Sequence, residues 1–308
     1  MRRRDFIKKG LQLGSATLGA LSLNVPEMLF ADEKNEMKLP QDLVMVKNGS
    51  PAELVGKAFD MFGGISRFVK KGDTVVVKPN IGWARRPEQA ADTNPEIVAE
   101  IVRLCDKAGA SKIMVFDNTC NETKRCYRLS GIEKAAKEAG AKVNYMFPQK
   151  FKKVRIPKGK VLNAWEFYSD VLDADVYINV PIAKHHSLSK VTLGLKNTMG
   201  IIGGNRGAIH SNFDQKLADL NTVIRPNITI IDAVRVLLRN GPQGGNLNDV
   251  KEMNTLIAGV DPVAVDSFGA TLFNLKGTDL GYIRAAHELG LGEIDLDKLK
   301  IATVDLSA

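Results

Sequence analysis

Short apolar runs alternate with helical patterns along most of this chain. Leu43–Val46, Thr74–Val77, Lys112–Phe116, Lys142–Phe147, Val176–Val180, Ile228–Ile231, Leu256–Val260 and Lys300–Val304 are compact and rich in Val and Ile, and predict strands. Helical patterns lie between them. Ser50 supplies an N-cap and Pro51 a first helical residue, opening a helix through about Val69. Pro95–Ala108 is amphipathic and stops at Gly109. Ile132–Ala139 closes at Gly140, and Phe213–Ile224, a segment opened by Asp261-Pro262, and Gly281–Leu289 complete the set. The strands read as continuous apolar runs, as strands buried on both faces do. The expected fold is α/β, a mostly parallel sheet with helices on both faces. Lys150–Lys160 (KFKKVRIPKGK) breaks the rhythm and predicts a small antiparallel insertion between two α/β halves.

The first residues follow a different pattern. Arg3-Arg4-Asp5-Phe6-Ile7-Lys8 matches the twin-arginine export pattern, and a mildly apolar run from Leu11 to Leu23 follows, diluted by glycine, serine and threonine. That run is too short for a typical membrane span. Residues 1–31 are expected to be a signal peptide ending near Ala31, residues 32–42 a polar linker, and residues 43–308 a single α/β domain. The implied protein is bacterial, carried folded to the periplasm by the twin-arginine translocation machinery; a retained N-terminal membrane anchor is the alternative.

Composition narrows the partners. The chain has 308 residues, 44% hydrophobic and 25% charged, an ordinary globular balance. Aromatic residues make up only 6% and are not interleaved with basic clusters, which argues against nucleic acid. The formal net charge of +8 falls to +5 without residues 1–31, since 38 Lys/Arg and 33 Asp/Glu then remain, a mild positive bias that suits an anionic small molecule and that solubility alone would also explain.

In a parallel sheet, ligands bind outside the carboxyl ends of the strands. Those ends carry Lys78-Pro79-Asn80, Asp117-Asn118, Asn179-Val180-Pro181 leading into Lys184-His185-His186, then Asp232 and Asp261-Pro262. Aspartate and asparagine also end strands as plain caps and turns, so the group carries more weight than any member. His185, His186, Lys184 and Lys196 are the candidate catalytic residues, the histidines because imidazole moves protons near neutral pH. Lys78, Asn80, Asn197, Arg206 and His210 are candidates for holding the anion, and the glycines around Gly203-Gly204 for presenting backbone amides to it. Asp117, Asp232 and Asp261 offer oxygen ligands to a divalent metal, with Cys120 and Cys126 as possible thiolate partners. Three readings stand for the cysteine pair: a disulfide, a shared ligand or redox role, or unpaired thiols. Cys105 lies in an apolar helix pattern and is expected in the core. Three cysteines fall short of the four thiolates of an ordinary iron–sulfur cluster.

Several segments resemble the domain of unknown function 362 family: VVVKPNIG (Val75–Gly82), TNPEIV (Thr93–Val98), YINVPIAKHHSLSKVTLGLKNTMG (Tyr177–Gly200), LADLN (Leu217–Asn221), ITIIDAV (Ile228–Val234), GPQGG (Gly241–Gly245) and TLIAGVDPVAVD (Thr255–Asp266). Lys184–Gly200 and Asp261–Asp266 are the most specific. The resemblance supplies no reaction. Its iron–sulfur members carry an appended ferredoxin module with a cysteine run, which this chain lacks. The expected function is an exported enzyme or redox-associated protein acting on an anionic small molecule. A periplasmic solute- or metal-binding protein, or an iron–sulfur electron carrier, is the rival.

Overall fold

The computed structural model describes residues 39–308. The expected signal peptide and most of the expected linker lie outside these residues. Twelve strands and nine α-helices occur among the described residues. In chain order they are β1 (Leu43–Lys47), α1 (Pro51–Met61), β2 (Thr74–Pro79), α2 (Pro95–Lys107), β3 (Lys112–Val115), α3 (Thr123–Leu129), α4 (Ile132–Glu138), β4 (Lys142–Val143), β5 (Phe151–Arg155), β6 (Ala164–Tyr168), α5 (Ser169–Leu172), β7 (Val176–Val180), β8 (Ile182–His186), β9 (Lys190–Thr192), α6 (Gly194–Asn197), α7 (Phe213–Asn221), β10 (Ile228–Leu237), β11 (Val250–Gly259), α8 (Pro262–Ala270), α9 (Gly281–Glu288) and β12 (Ile301–Asp305).

Ten strands form one sheet in the order β12-β1-β11-β10-β7-β2-β3-β4, with β8 pairing β10 and β9 pairing β8. It is mostly parallel; β11 runs antiparallel to both β1 and β10, and β9 antiparallel to β8. Alternate residues of each strand feed opposite cores, as the pleat requires. Val75, Val77, Ile113, Val115, Val176 and Ile178 pack on one face with α1, α2 and α4. Val76, Met114 and Tyr177 pack on the other, with α7, α8, α9 and the β5–β6 hairpin.

Several boundaries differ from the sequence reading for visible reasons. Gly63 and Gly64, both at positive φ, end the first helix early, and Ile65–Arg67 forms a separate 3-10 turn. β4 is only two residues long. The expected antiparallel insertion is the two-stranded β5–β6 sheet, whose second strand lies beyond residue 160. β10 continues through Asp232 to Leu237 instead of ending there, and β11 begins at Val250, in a stretch too solvent-exposed to read as an apolar run. The sequence reading missed α3 and the β8–β9 pair altogether. No described helix is long and apolar enough to cross a membrane.

Candidate functional site

The pleat explains why two polar residues share a position. Lys78 and Asn179 stand opposite each other at the carboxyl ends of β2 and β7, two residues beyond Val76 and Tyr177 on the same face. Both are buried, and Lys78 is fully enclosed. Lys78 Nζ pairs with Asp117 Oδ1 at 2.9 Å and donates to the main-chain oxygen and Oδ1 of Asn197, each at 2.7 Å. Three acceptors satisfy all three N–H groups of its ammonium. Asn197 Nδ2 donates to Asn179 Oδ1 at 2.9 Å, and Asn80 Nδ2 donates to Asn197 Oδ1 at 3.1 Å. Asp117 also accepts from the backbone N–H groups of Ile81 and Asn118. Gly200 leaves room for this pair: a Cβ there would overlap Asp117 Oδ1 and Lys78 Nζ.

A second lysine enters from β8. Lys184 Nζ donates to Asn80 Oδ1 at 3.0 Å and to the carbonyl of Ala91, and the residue is 2% exposed. Beside it lies Asp92, also buried, on the connection between β2 and α2. Asp92 Oδ1 accepts from Trp83 N–H at 2.9 Å, whereas Oδ2 is buried, with the Gly82 N–H nearby but no well-formed hydrogen bond among the described residues. Burial pushes the Asp92 carboxyl up and the Lys184 ammonium down; each partner's charge partly offsets the other's shift.

Lys196 completes the cluster from α6. Its ammonium lies 5.9 Å from the centre of the Phe213 ring and pairs with no carboxylate among the described residues. Burial, and then the charges of Lys184, Lys78 and Arg206, lower its pKa to about 7. The short α6 helix is anchored by Asp266, which accepts from Gly194 N–H at 2.7 Å and Leu195 N–H at 2.9 Å. Cys120 is exposed, its N–H bound to the Gly82 carbonyl at 2.8 Å.

The histidines have different surroundings. His186 Nδ1 accepts from the N–H groups of Leu188 and Ser189, which pins the β8–β9 turn. Burial, then the neighbouring charge of Lys196, depresses its pKa to about 3, so the ring is neutral at ordinary pH. His185 Nδ1 accepts from Gly241 N–H at 3.1 Å, fixing the GPQGG loop against β8. His210 is exposed and stacks on Phe213. Arg206 commits its guanidinium to the carbonyls of Asn118 and Thr119, both at 2.7 Å, and so braces the loop after β3.

The expected metal set does not assemble. Asp232 sits inside β10 and accepts from Asn94 and Val234 N–H groups, tying the start of α2 to the sheet. Asp261 caps α8 through Val263 and Ala264 N–H and also accepts from Glu293 N–H. Cys126 lies buried in α3, facing the Gly82 carbonyl; it and Cys120 are free thiols, which of the three readings left open for the pair is the unpaired one. Among the described residues no group of three or more His, Cys, Asp or Glu side chains is placed to hold a metal ion. The Gly203-Gly204 segment is docked on the β5–β6 hairpin: Gly203 N–H donates to the Glu166 carbonyl, and Trp165 Nε1 donates to that of Gly203.

Sequence reasoning singled out neither Asp92 nor Asp266 as a site residue. Asp92-Thr93-Asn94-Pro95 reads as a helix start, which Asn94 indeed supplies as the N-cap of α2. Asp266 lies in a helix pattern, where nothing local signals that two backbone N–H groups from another segment will reach it.

Residues 75–271, which hold every member of the lysine cluster, match the family described as Domain of unknown function (DUF362). The chain belongs to the DUF362 family. A thylakoid-associated protein of Synechocystis sp. is 27% identical to this DUF362 chain over 237 residues, covering 74% of it and 72% of the relative. Among solved structures, the lactate racemase apoprotein from Thermoanaerobacterium thermosaccharolyticum aligns with a TM-score of 0.39 and 13% identity, covering 69% of this chain and 53% of that one.

Proposed function

We propose that this protein binds a small anion at the Lys78–Lys184–Lys196 cluster and carries out acid–base chemistry on it. The observation that carries this reading is Lys196, an ammonium without a carboxylate partner among the described residues, held beside two buried lysines. Clustered cations destabilise one another and are costly to desolvate, and an anionic ligand relieves both penalties. Neutral His186, with Nδ1 occupied, keeps its Nε2–H as a hydrogen-bond donor for such a ligand. Because Lys196 must be protonated to attract an anion, affinity should fall as pH rises through about 7.

Titration calorimetry with inorganic phosphate and with succinate tests this. Wild type should bind at least one of the two saturably, with affinity cut about tenfold or more in Lys196→Met, the scale of one lost charge-assisted hydrogen bond. Lys134→Met, on the exposed face of α4, should bind as wild type does. Equal binding by wild type and Lys196→Met would end the reading.

A binding protein without turnover is the second reading, favoured by the commitment of both histidine Nδ1 atoms to backbone N–H groups. The twin-arginine pattern supports delivery of the folded chain to the periplasm. Replacing Arg3 and Arg4 with lysine should hold it in the cytoplasm, and periplasmic delivery at the wild-type level would refute export by that route.

A further inference from the structure

The hydrogen bonds around the three lysines are unequal, and the inequality assigns them different work. Lys78 has three acceptors for its three N–H groups, as an ammonium requires. Among the described residues Lys184 has two, Asn80 Oδ1 and the Ala91 carbonyl. Two acceptors satisfy the two N–H groups of a neutral amine and leave its lone pair open. The Ala91 carbonyl immediately precedes Asp92, whose buried Oδ2 makes no well-formed hydrogen bond among the described residues, with the Gly82 N–H nearby. Lys184 thus fits its surroundings either as an amine with both N–H groups satisfied or as an ammonium with one N–H left for a ligand, beside the buried Asp92 carboxyl. We propose that Lys184 is the proton acceptor and donor of this site and that Asp92 is the positioning residue that sets its proton affinity, in place of the two histidines.

The proposal rests on the anion-binding reading and deepens it: the ligand is an anion bearing a transferable proton. Where Lys196 carries its charge Lys184 is mainly an ammonium; it gives a proton to the bound ligand, and the amine so formed takes the ligand's transferable proton back, the ligand keeping the bonding electrons. Lys196 holds the anionic group meanwhile. Half-buried Asn80, hydrogen-bonded to Lys184, links the amine to the partly exposed side of the cluster. The charged and titratable groups facing Lys184 are Asp92 from the β2–α2 connection, Asp117 and Cys120 from the loop after β3, Lys78 from β2, Lys196 from α6, and His186 on its own strand. Asp92 favours the ammonium, and burial together with the other lysines favours the amine.

The test is NMR titration of the full chain labelled with 13C and 15N in its lysine side chains, the Lys184 signal being identified by its loss in Lys184→Met. Lys184 should titrate near pH 8, well below the exposed lysines. Asp92→Asn should move its midpoint further down, because the variant removes a charge that favours the ammonium. Saturating inorganic phosphate should move it up. Should Asp92→Asn fail to fold, the Asp92 carboxyl carbon in wild type serves instead, with an expected midpoint near pH 7. Lys184 titrating with the surface lysines, or remaining unmoved by both Asp92→Asn and phosphate, overturns the assignment. Phosphate or succinate binding that depends on Lys196, with Lys184 titrating normally, removes this proposal and keeps the anion site. A shifted Lys184 in a chain that binds neither anion removes the anion-binding reading, and the assignment with it.

Discussion

At the ends of β2 and β3, Asp117 faces the Lys78 ammonium and Asp92 lies beside Lys184. Around β10 and α8, Asp232, Asp261 and Asp266 accept from backbone N–H groups and pair with no ammonium. All five are carboxylates, buried except for half-buried Asp261, and sequence alone does not separate them. What separates them is the donor that reaches each. A backbone N–H is fixed in place and tightens the fold. An ammonium brings a mobile proton and a full charge, and with it chemistry. Burial raises Asp232 to about 6 and Asp266 to about 7 even though each has two N–H donors, so a raised carboxyl pKa does not by itself mark the reactive region.

The sharpest way to break the comparison is Lys78→Met. Removing one partner of a buried pair leaves the other uncompensated, and urea unfolding should show a loss of about 3–5 kcal/mol together with loss of anion binding. A loss below about 1 kcal/mol would mean that the Ile81 and Asn118 N–H groups hold Asp117 unaided, as backbone donors hold Asp232.

Asp266→Asn comes next, at about 1–3 kcal/mol for a buried acceptor lost to one of two N–H groups. Its pH dependence has a definite sign. The folded protein holds a proton on Asp266 up to about pH 7, while the unfolded chain releases it near 4. Between those limits the native state binds more protons, so wild-type stability falls with rising pH and the gap to the variant narrows. A gap that widens over this range would reverse the assignment.

Asp261→Ala has the smallest expected effect, about 1 kcal/mol for a lost helix cap, with phosphate and succinate affinity unchanged. Weakened anion binding in this variant would place Asp261 with the lysine-facing group after all.

Much of the α/β alternation was legible because buried parallel strands and capped helices leave strong local signals. Lys78, Asn80, Asp117 and Asn197 are all in hydrogen-bond or ion-pair contact, and the strand-end rule had placed the first three on one edge. The roles of Asp232 and Asp261 were not legible, since a capping carboxylate and a ligand carboxylate are the same residue type at the same kind of position. The β8–β9 pair was hidden for another reason. Its turn, His186–Lys190, has no glycine or proline and is held by a histidine ring nitrogen. Asp92 was masked by the helix start that follows it.

One consequence follows from where β1 sits in the sheet. This strand, the first of those described, is flanked by β11 and β12, the last two. During synthesis Leu43–Lys47 therefore leaves the ribosome with neither neighbour yet made, and both of its edges stay unpaired until more than 200 further residues, through β11 and β12, have emerged. A stalled or truncated product would carry an open, apolar strand edge, an invitation to aggregation or to capture by chaperones. Once β11 and β12 have been made that edge is covered on both sides, so the pairing of Leu43 with Ile301 marks that the last described strand has emerged.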